Sequence, residues 1–453
     1  MSKTITIRKG LDIKLLGEAE KVKSGIEFAD NFVIRTTDFH GLIPKLTVKA
    51  GDQVKAGSTI FLDKARPEIR FASPVAGEIT DIVRGEKRKI LQINIKATAE
   101  NAYEDFGVKD PSKLSKDEVK QQILASGAWP FIKMRPIDII ANPADEPKAI
   151  FVSAFDSSPI APDYDFIMHG EGAAFQAGIT ALSKLTNGKV HLTLNGNTTA
   201  DVAFSNAKDC QINKINGKHP AGNVGTQIHH IDPINKGQVV WTVNAQDVAI
   251  IGRVFLTGKF LAERVIALAG SEVKSPKYYK MTIGASVKKL LSGTINEGNV
   301  RIISGNVLTG DKITADSHIG YYHNQITVIP EGDEPKFLIT KGWMGPGFGK
   351  FSINRSYFSW LMPGKKYALD TNLNGERRNF VVTGELEKVF PFDIYPMQLI
   401  KSVMYKDLDL MEKLGIYEVA PEDFALCEFV CTSKIDIQDV IRKGLDEVYT
   451  ECM

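Results

Sequence analysis

The sequence predicts a multidomain chain of α/β plus β class, and three observations carry that prediction. Short β-branched runs broken by glycine fill the first hundred residues. Strand-like and helix-like periods then alternate as far as residue 258. From residue 381 onward the chain reads as helices. A length of 453 residues accommodates about three or four domains of ordinary size. Apolar residues make up 43% and charged residues 24%, the balance of a globular chain rather than a disordered one. The 56 Lys and Arg residues nearly cancel 54 Asp and Glu, and a net charge of +2 argues against a nucleic-acid binder. The longest apolar runs, 248–251 and 265–269, fall far short of the ~18–20 residues that span a bilayer. The start, MSKTITIRK, alternates like a strand and has no apolar signal core, so a cytosolic chain able to sit on a membrane complex is expected. Four cysteines make no disulfide framework.

Within residues 1–100, the run 46–57 (LTVKAGDQVKAG) reads as strand, turn, strand. Gly51 accepts positive φ, and Asp52 can bond its own backbone. A second unit, 71–83 (FASPVAGEITDIV), follows. The two halves resemble a biotinyl/lipoyl-like β-barrel. A swinging-arm carrier of that kind needs a lysine at the hairpin tip. Counting back from Pro74 without gaps gives Arg66, whose guanidinium is no acyl acceptor, and Lys64 nearby lacks the usual flanking residues. A structural or docking barrel is therefore expected.

Residues 101–258 read as a connector helix and a Rossmann-like layer. Ser115 and Glu118 have capping-box spacing, and Val119, Ile123 and Leu124 share one helical face. Strands are expected at 149–154, 165–168, 189–194 and 239–243. Helices are expected through Phe175, Ile179, Leu182 and Leu185, and through Val248, Ile251 and Phe255. Gly170 and Gly172 open the first helix as in a dinucleotide fingerprint, but Phe175 stands where Gly or Ala is needed. The next strand ends in Asn195-Gly196 rather than an acid. Gly345–Lys350 likewise fails as a phosphate loop, with Met344 and Phe351 at its required positions. His40, His169, His191, His219, His229, His230, His318 and His323 form no His-Glu-x-x-His pair. The cluster His219, His229 and His230 reads as a loop of turn-forming and surface histidines rather than a metal site. No Gly-x-Ser-x-Gly elbow and no nucleophilic cysteine context appears.

Residues 259–335, with strands at 263–270, 277–283, 300–303 and 325–329 and a helix at 286–291, suggest a β-grasp-like, ubiquitin-type module of adaptor kind. Residues 336–380 form a glycine- and aromatic-rich insertion. Trp343, Phe348, Phe351, Phe358 and Trp360 either pack on their own domain or form a contact surface for a partner or a quinone. Residues 381–453 predict helices at 398–405, 408–414, 421–430 and 437–450. A ferredoxin run laid on Cys427 and Cys431 finds Pro421 and Phe424 at its other two ligand positions. Upstream, Phe380, Thr383 and Leu386 precede Phe390-Pro391 where a second set would lie. Two thiolates cannot hold a four-iron cluster.

This order of parts resembles the flavoprotein subunit of respiratory complex I and the C subunit of ion-translocating ferredoxin:NAD reductases. The chain is more similar to the A subunits of sodium-translocating NADH:quinone reductases. The segments that carry the likeness are 7–12 (IRKGLD), 71–77 (FASPVAG), 219–229 (HPAGNVGTQIH), 244–252 (NAQDVAIIG) and 361–367 (LMPGKKY), spread over nearly the full length. The flavin phosphate loop of the flavoproteins is absent and their cluster ligands are depleted. The resemblance implies a cofactor-free peripheral subunit on the cytoplasmic face of the bacterial inner membrane. It also implies partners that include a membrane subunit. Quinone is then the substrate of the complex, with NADH, flavins and iron–sulfur centres on sister subunits. The resemblance associates such a chain with quinone reduction coupled to sodium export. A stand-alone flavin/NADH dehydrogenase lacks its phosphate loop here, and an acyl carrier lacks its lysine at Arg66.

Overall fold

The computed structural model describes residues 3–452 apart from 26–28, 101, 335, 338, 340, 341, 343 and 346. Two short strands come first, β1 (Thr4–Thr6) and β2 (Glu20–Ser24), and neither joins the barrel that follows. The barrel runs through β3 (Asn31–Arg35), β4 (Pro44–Leu46), β5 (Gln53–Val54), β6 (Thr59–Asp63), β7 (Arg70–Ala72), β8 (Gly77–Arg84) and β9 (Ile90–Ala97). Its two sheets, ordered β3-β9-β8-β5 and β4-β6-β7, close over Phe32, Ile34, Ile79, Ile93 and Ile95. In β9 the buried Ile93 and Ile95 alternate with the partly exposed Gln92 and Asn94, as strand geometry requires. Phe61 and Phe71 stack across the smaller sheet at 4.3 Å. The turn before β5 forms as expected: Gly51 has φ +92°, and Asp52 Oδ2 accepts the Lys49 N–H at 2.7 Å.

The hairpin tip between β6 and β7 is tied down. Arg66 Nε donates to Asp63 Oδ2 at 2.9 Å, and its Nη1 donates to the Ile140 carbonyl at 3.1 Å, outside the barrel. An arm that swings needs a free tip, and this one is bonded to the neighbouring layer.

That layer begins with α1 (Lys116–Ala125), whose capping box is complete: Glu118 Oε2 accepts the Ser115 N–H at 2.8 Å. It continues with β10 (Lys133–Arg135), β11 (Ile139–Ile140), β12 (Ala149–Ser153), α2 (Tyr164–Met168), α3 (Gly172–Lys184) and β13 (Lys189–Asn195). Then come α4 (Val202–Ser205), β14 (Gln211–Asn216), α5 (Val224–Ile231), β15 (Val240–Asn244) and α6 (Ala245–Thr257). The sheet order is β1-β14-β13-β12-β15-β10-β11. It is parallel from β1 to β15 and antiparallel at β10 and β11.

Segment 165–168, expected as a strand, is part of helix α2. Asp163 caps it by accepting the Phe166 N–H at 3.1 Å, and Tyr164, Ile167 and Met168 are buried at helical spacing. Gly178 and Gly252 let α3 and α6 touch backbone to backbone. A Cβ on Gly178 would lie 2.1 Å from the Val248 carbonyl oxygen, and one on Gly252 1.8 Å from that of Ala174. Gly178 and Gly252 therefore serve helix packing.

A second mixed sheet contains β16 (Glu263–Ala269) and β17 (Lys277–Thr282) before α7 (Lys288–Leu291), then β18 (Val300–Ser304), β19 (Asp311–Ile313) and β20 (Gln325–Pro330). Its order is β19-β18-β20-β16-β17-β2. β16 and β17 form a hairpin, β20 returns parallel to β16, and β2 closes the edge. Among the described residues of 331–384, the one helical element is a 3-10 turn, Phe358–Leu361. The end of the chain carries α8 (Glu385–Val389), α9 (Pro396–Met404), α10 (Leu408–Lys413), α11 (Ala425–Val430) and α12 (Ile437–Cys452). The helix expected over 421–430 divides into a 3-10 turn, Pro421–Phe424, and α11. Among the described residues no helix is long and apolar enough to cross a membrane.

Arg135, at the end of β10, is 1% exposed and donates to Asp423 Oδ2 at 2.7 Å and to Glu422. Burial works against its charge, yet the neighbouring carboxylates of Asp423 and Glu422 outweigh that and raise its pKa. Arg135→Ala leaves the fully buried Asp423 unpaired and is expected to cost about 3–5 kcal/mol in denaturant unfolding. Arg135→Met combined with Asp423→Leu is expected to recover most of that loss. A second expectation concerns the barrel: intact-mass measurement of chain co-expressed with lipoate and biotin ligases should show no added mass, and a gain mapping to Lys64 would refute it.

Candidate functional site

Open α/β sheets bind ligands beyond the carboxyl ends of their strands, where the strand order reverses. Here that point lies between β12 and β15, since β13 flanks β12 on one side and β15 on the other. A cavity of about 240 Å³ opens there. Its walls include Ser153 at the end of β12, Phe155 and Asp156 after it, and Asn244 and Asp247 at the β15–α6 junction. Tyr164 of α2, His219 and Asn223 from the loop before α5, Lys133, Tyr322 and Glu422 complete it.

Local hydrogen bonds fix these side chains. Asn244 Oδ1 caps α6 by accepting the Gln246 N–H at 3.0 Å, while its Nδ2 donates to Tyr164 Oη at 2.8 Å. Asn324 Nδ2 donates to the same hydroxyl at 2.9 Å, so the tyrosine hydrogen is left to point elsewhere. Burial pushes the Tyr164 pKa up. Asp247 pairs with Arg264 at 2.5 Å, both almost fully buried, and burial still pushes its carboxyl up to about 6 against that cation. Burial likewise raises Asp156, although its Oδ1 accepts the Ser158 N–H at 2.7 Å. Lys133 Nζ sits over the Tyr322 ring at 4.4 Å and 4.0 Å from Asp138.

Among the described residues four acids, Asp138, Asp156, Asp247 and Glu422, line the crevice beside one cation, Lys133, a poor setting for a phosphate. The residues present do not fit the nucleotide or flavin that such a crevice holds in many α/β proteins.

The loop 219–225 has a second task. Asn223 Nδ2 donates to the Glu422 carbonyl at 3.3 Å, and a Cβ on Gly225 would fall 2.2 Å from Asp423 Oδ1. His219 is 4% exposed, against the expectation of a surface histidine; its Nδ1 meets Ser157 Oγ at 3.1 Å. His229 bridges Glu418 Oε2 at 2.8 Å and the Asp393 N–H at 3.0 Å, and His230 Nδ1 bonds the Thr226 carbonyl at 2.9 Å. His229 thereby joins the α/β layer to the C-terminal helices, while His230 bonds within its own helix. No group of three His, Cys, Asp or Glu able to hold a metal occurs among the described residues.

At the degenerate ferredoxin positions, Phe424 packs against Phe390 at 4.7 Å, and Phe390 stacks on Phe392 at 4.7 Å. Cys427 and Cys431 are buried and free, and burial together with the Glu387 charge pushes the Cys427 thiol up.

Of the insertion aromatics, Trp343 lies outside the described residues. Phe348 and Phe358 are exposed and stacked at 5.9 Å, and Trp360 is exposed beside Arg355. Phe351 turns away, half-buried, with its ring 6.0 Å from that of Tyr367. Sequence reasoning marked the segments holding His219, Asn223, Asn244 and Asp247. It missed Asp156, Tyr164 and Glu422, which belong to no motif and converge through the fold.

Family models described as the NqrA N-terminal barrel-sandwich hybrid domain, the NqrA second alpha/beta domain and the NQRA C-terminal domain match residues 5–98, 114–260 and 265–315. The A subunit of the Na(+)-translocating NADH-quinone reductase of Vibrio atlanticus (strain LGP32) is 35% identical over 450 residues, 99% of this chain and 100% of its own length. Those of Klebsiella pneumoniae (strain 342) and Neisseria meningitidis (serogroup A) are each 37% identical, over 457 and 452 residues, with the same coverage. The chain belongs to this NqrA family. The barrel-sandwich name fits the two-sheet unit β3–β9, while the matched stretch 5–98 also takes in most of β1 and all of β2, which pair elsewhere. The family's C-terminal domain model stops before α8–α12. An NAD+-reducing [NiFe]-hydrogenase chain aligns with 75% of this chain and 62% of its own, at 9% identity and a TM-score of 0.39, too low to argue from.

A pH expectation comes from a buried histidine of this NqrA-family chain. Burial lowers His219 from the ordinary 6.5 to about 4. Between those values the unfolded chain binds the extra proton, so stability is full above pH 6.5 and falls as pH drops toward 4. His219 alone accounts for about 3 kcal/mol across that window. Thermal melts from about pH 7 to 4 should fall steeply, and His219→Gln should flatten the slope.

Proposed function

We propose that this chain is a cofactor-free, peripheral subunit of a sodium-pumping NADH:quinone reductase, seated on the cytoplasmic face of the inner membrane and associated with the quinone-reduction step. The full-length relatedness to the NqrA family supplies the complex. The carboxylate-lined crevice is the observation that carries the cofactor-free reading, because Asp156, Asp247 and Glu422 stand where a nucleotide phosphate needs amide donors or cations. The Phe390–Phe424 packing supports the same reading at the ferredoxin positions. NADH, flavins and iron–sulfur centres then belong to sister subunits, and quinone is the substrate of the assembled complex.

In this reading the units act as docking modules. The hairpin, short helix and parallel return strand of residues 263–330 suit a β-grasp-like adaptor, and the helices from 385 onward form a capping domain. Phe348, Phe358 and Trp360, with Trp343, provide the contact with a sister subunit or with quinone, while Phe351 packs by Tyr367.

Chain purified anaerobically should show no flavin absorption and about zero iron per chain. A tightly held flavin would overturn the cofactor-free reading. A membrane preparation lacking this chain should lose sodium-dependent quinone reduction while keeping NADH oxidation by an artificial acceptor.

A further inference from the structure

The 3-10 turn Phe358–Leu361 is packed inside out. Its buried residue is Ser359, whose Oγ accepts the Ser352 N–H at 2.9 Å, while Phe358, Trp360 and Leu361 are 49%, 51% and 57% exposed. Residues three apart eclipse in a 3-10 turn, so Phe358 and Leu361 share an outward side. Phe348, 61% exposed, stacks on Phe358 and extends the patch. Apolar surface gains roughly 25 cal/mol per Å² on leaving water. A segment selected for its own packing alone would turn the rings in and the serine out.

Charge decides what covers this patch. Between residues 336 and 380, eight Lys and Arg stand against two Asp and Glu, although the whole chain is only +2. Lys336, Lys366 and Arg377 pair with Asp370, Glu18 and Asp436. Arg355 and Lys365 meet no carboxylate among the described residues. Arg355 lies over the Trp360 ring at 5.4 Å, and Lys365 Nζ donates to the Phe348 carbonyl at 2.6 Å, so both exposed cations border the rings. Indole and phenyl rings flanked by uncompensated Lys and Arg form the composition that settles at the headgroup level of an anionic bilayer. The base of the segment is held firmly: Tyr367 exchanges backbone hydrogen bonds with the N-terminal stretch, donating to the Lys14 carbonyl at 2.8 Å and accepting from the Leu16 N–H at 2.9 Å.

We propose that Phe348, Phe358, Trp360 and Leu361, with Arg355 and Lys365, seat this chain directly on anionic phospholipid headgroups. The proposal rests on the reading of the chain as a peripheral subunit of a membrane complex, and adds lipid to its partners.

The test is flotation of the full chain with vesicles of phosphatidylcholine alone or with about 30 mol% phosphatidylglycerol. The chain should float with the anionic vesicles, stay down with the neutral ones, and release at high salt. Arg355→Glu with Lys365→Glu, and separately Trp360→Ala with Leu361→Ala, should each weaken binding by about tenfold while the melting temperature holds. Absence of flotation, or equal flotation by the variants, overturns the proposal. A fall in melting temperature returns the rings to internal packing and also overturns it. Binding to membranes that hold the sister subunits, without binding to anionic vesicles, assigns the patch to a protein partner; it overturns the lipid contact and leaves the peripheral-subunit reading standing.

Discussion

A guanidinium removed from water is tolerated only where opposite charge meets it, and Arg135 is that constraint here. Its partner Asp423 is itself fully buried and must satisfy more than one donor: Oδ2 accepts Arg135 at 2.7 Å and the Ala420 N–H at 2.9 Å. The turn Pro421–Phe424 is thereby pinned to the end of β10. Gly225 leaves room for the Asp423 carboxylate, and Asn223 holds the Glu422 carbonyl. The same turn brings Glu422 into the crevice and Phe424 onto Phe390. Loss of the ion pair would loosen the crevice wall and the aromatic packing together, because one short turn positions both.

The N-terminal stretch works as a second tie. β1 extends the α/β sheet beside β14, and β2 extends the other sheet beside β17. Between them Asp12 Oδ1 accepts the His219 N–H at 3.0 Å, and the Gly17 carbonyl accepts the Gly270 N–H at 2.8 Å. Gly17 is required there, because it has φ +98° and a Cβ would lie 2.2 Å from the Gly270 carbonyl. A strand contributed from far away in sequence gains nothing until its host sheet exists, so these contacts add stability only where both sheets are already formed.

Local signals were legible in the sequence, and convergent ones were not. The capping box at Ser115, the turn at Gly51 and the stripe Phe175, Ile179, Leu182 report on themselves within a few residues, and the structure has each where expected. Segment 165–168 misled because four residues carry too little periodicity to separate strand from helix; the deciding residue, Asp163, lies outside the window. Nothing local shows that β1 leaves the barrel, since its pairing partner, β14, lies in the second half of the α/β layer. His219 looked like a turn residue, and its burial depends on Asp12 and Ser157, which no spacing rule connects to it. Asp156 and Glu422 went unseen for the same reason: they sit on separate elements and meet Asp247 only in the crevice.

Three places where the sequence hints at a bound group carry side chains engaged in other contacts. Phe175, at the fingerprint position that demands a small residue, fills its space against Phe204 at 5.1 Å, and Gly178 is spent on the contact with α6. The crevice at the strand ends carries acids whose charge is opposed by burial, so it favours neutral or donor-rich neighbours over phosphate. At the ferredoxin frame, Phe424 and Phe390 supply ring contact, and contact between rings stabilises without any metal. A site that loses its ligand leaves a void or an unpaired polar group, either of which costs stability. The first and third are filled by ring packing, while the crevice stays open between its acids. On the surface, the turn Phe358–Leu361 reverses the usual preference, burying a serine and exposing its rings.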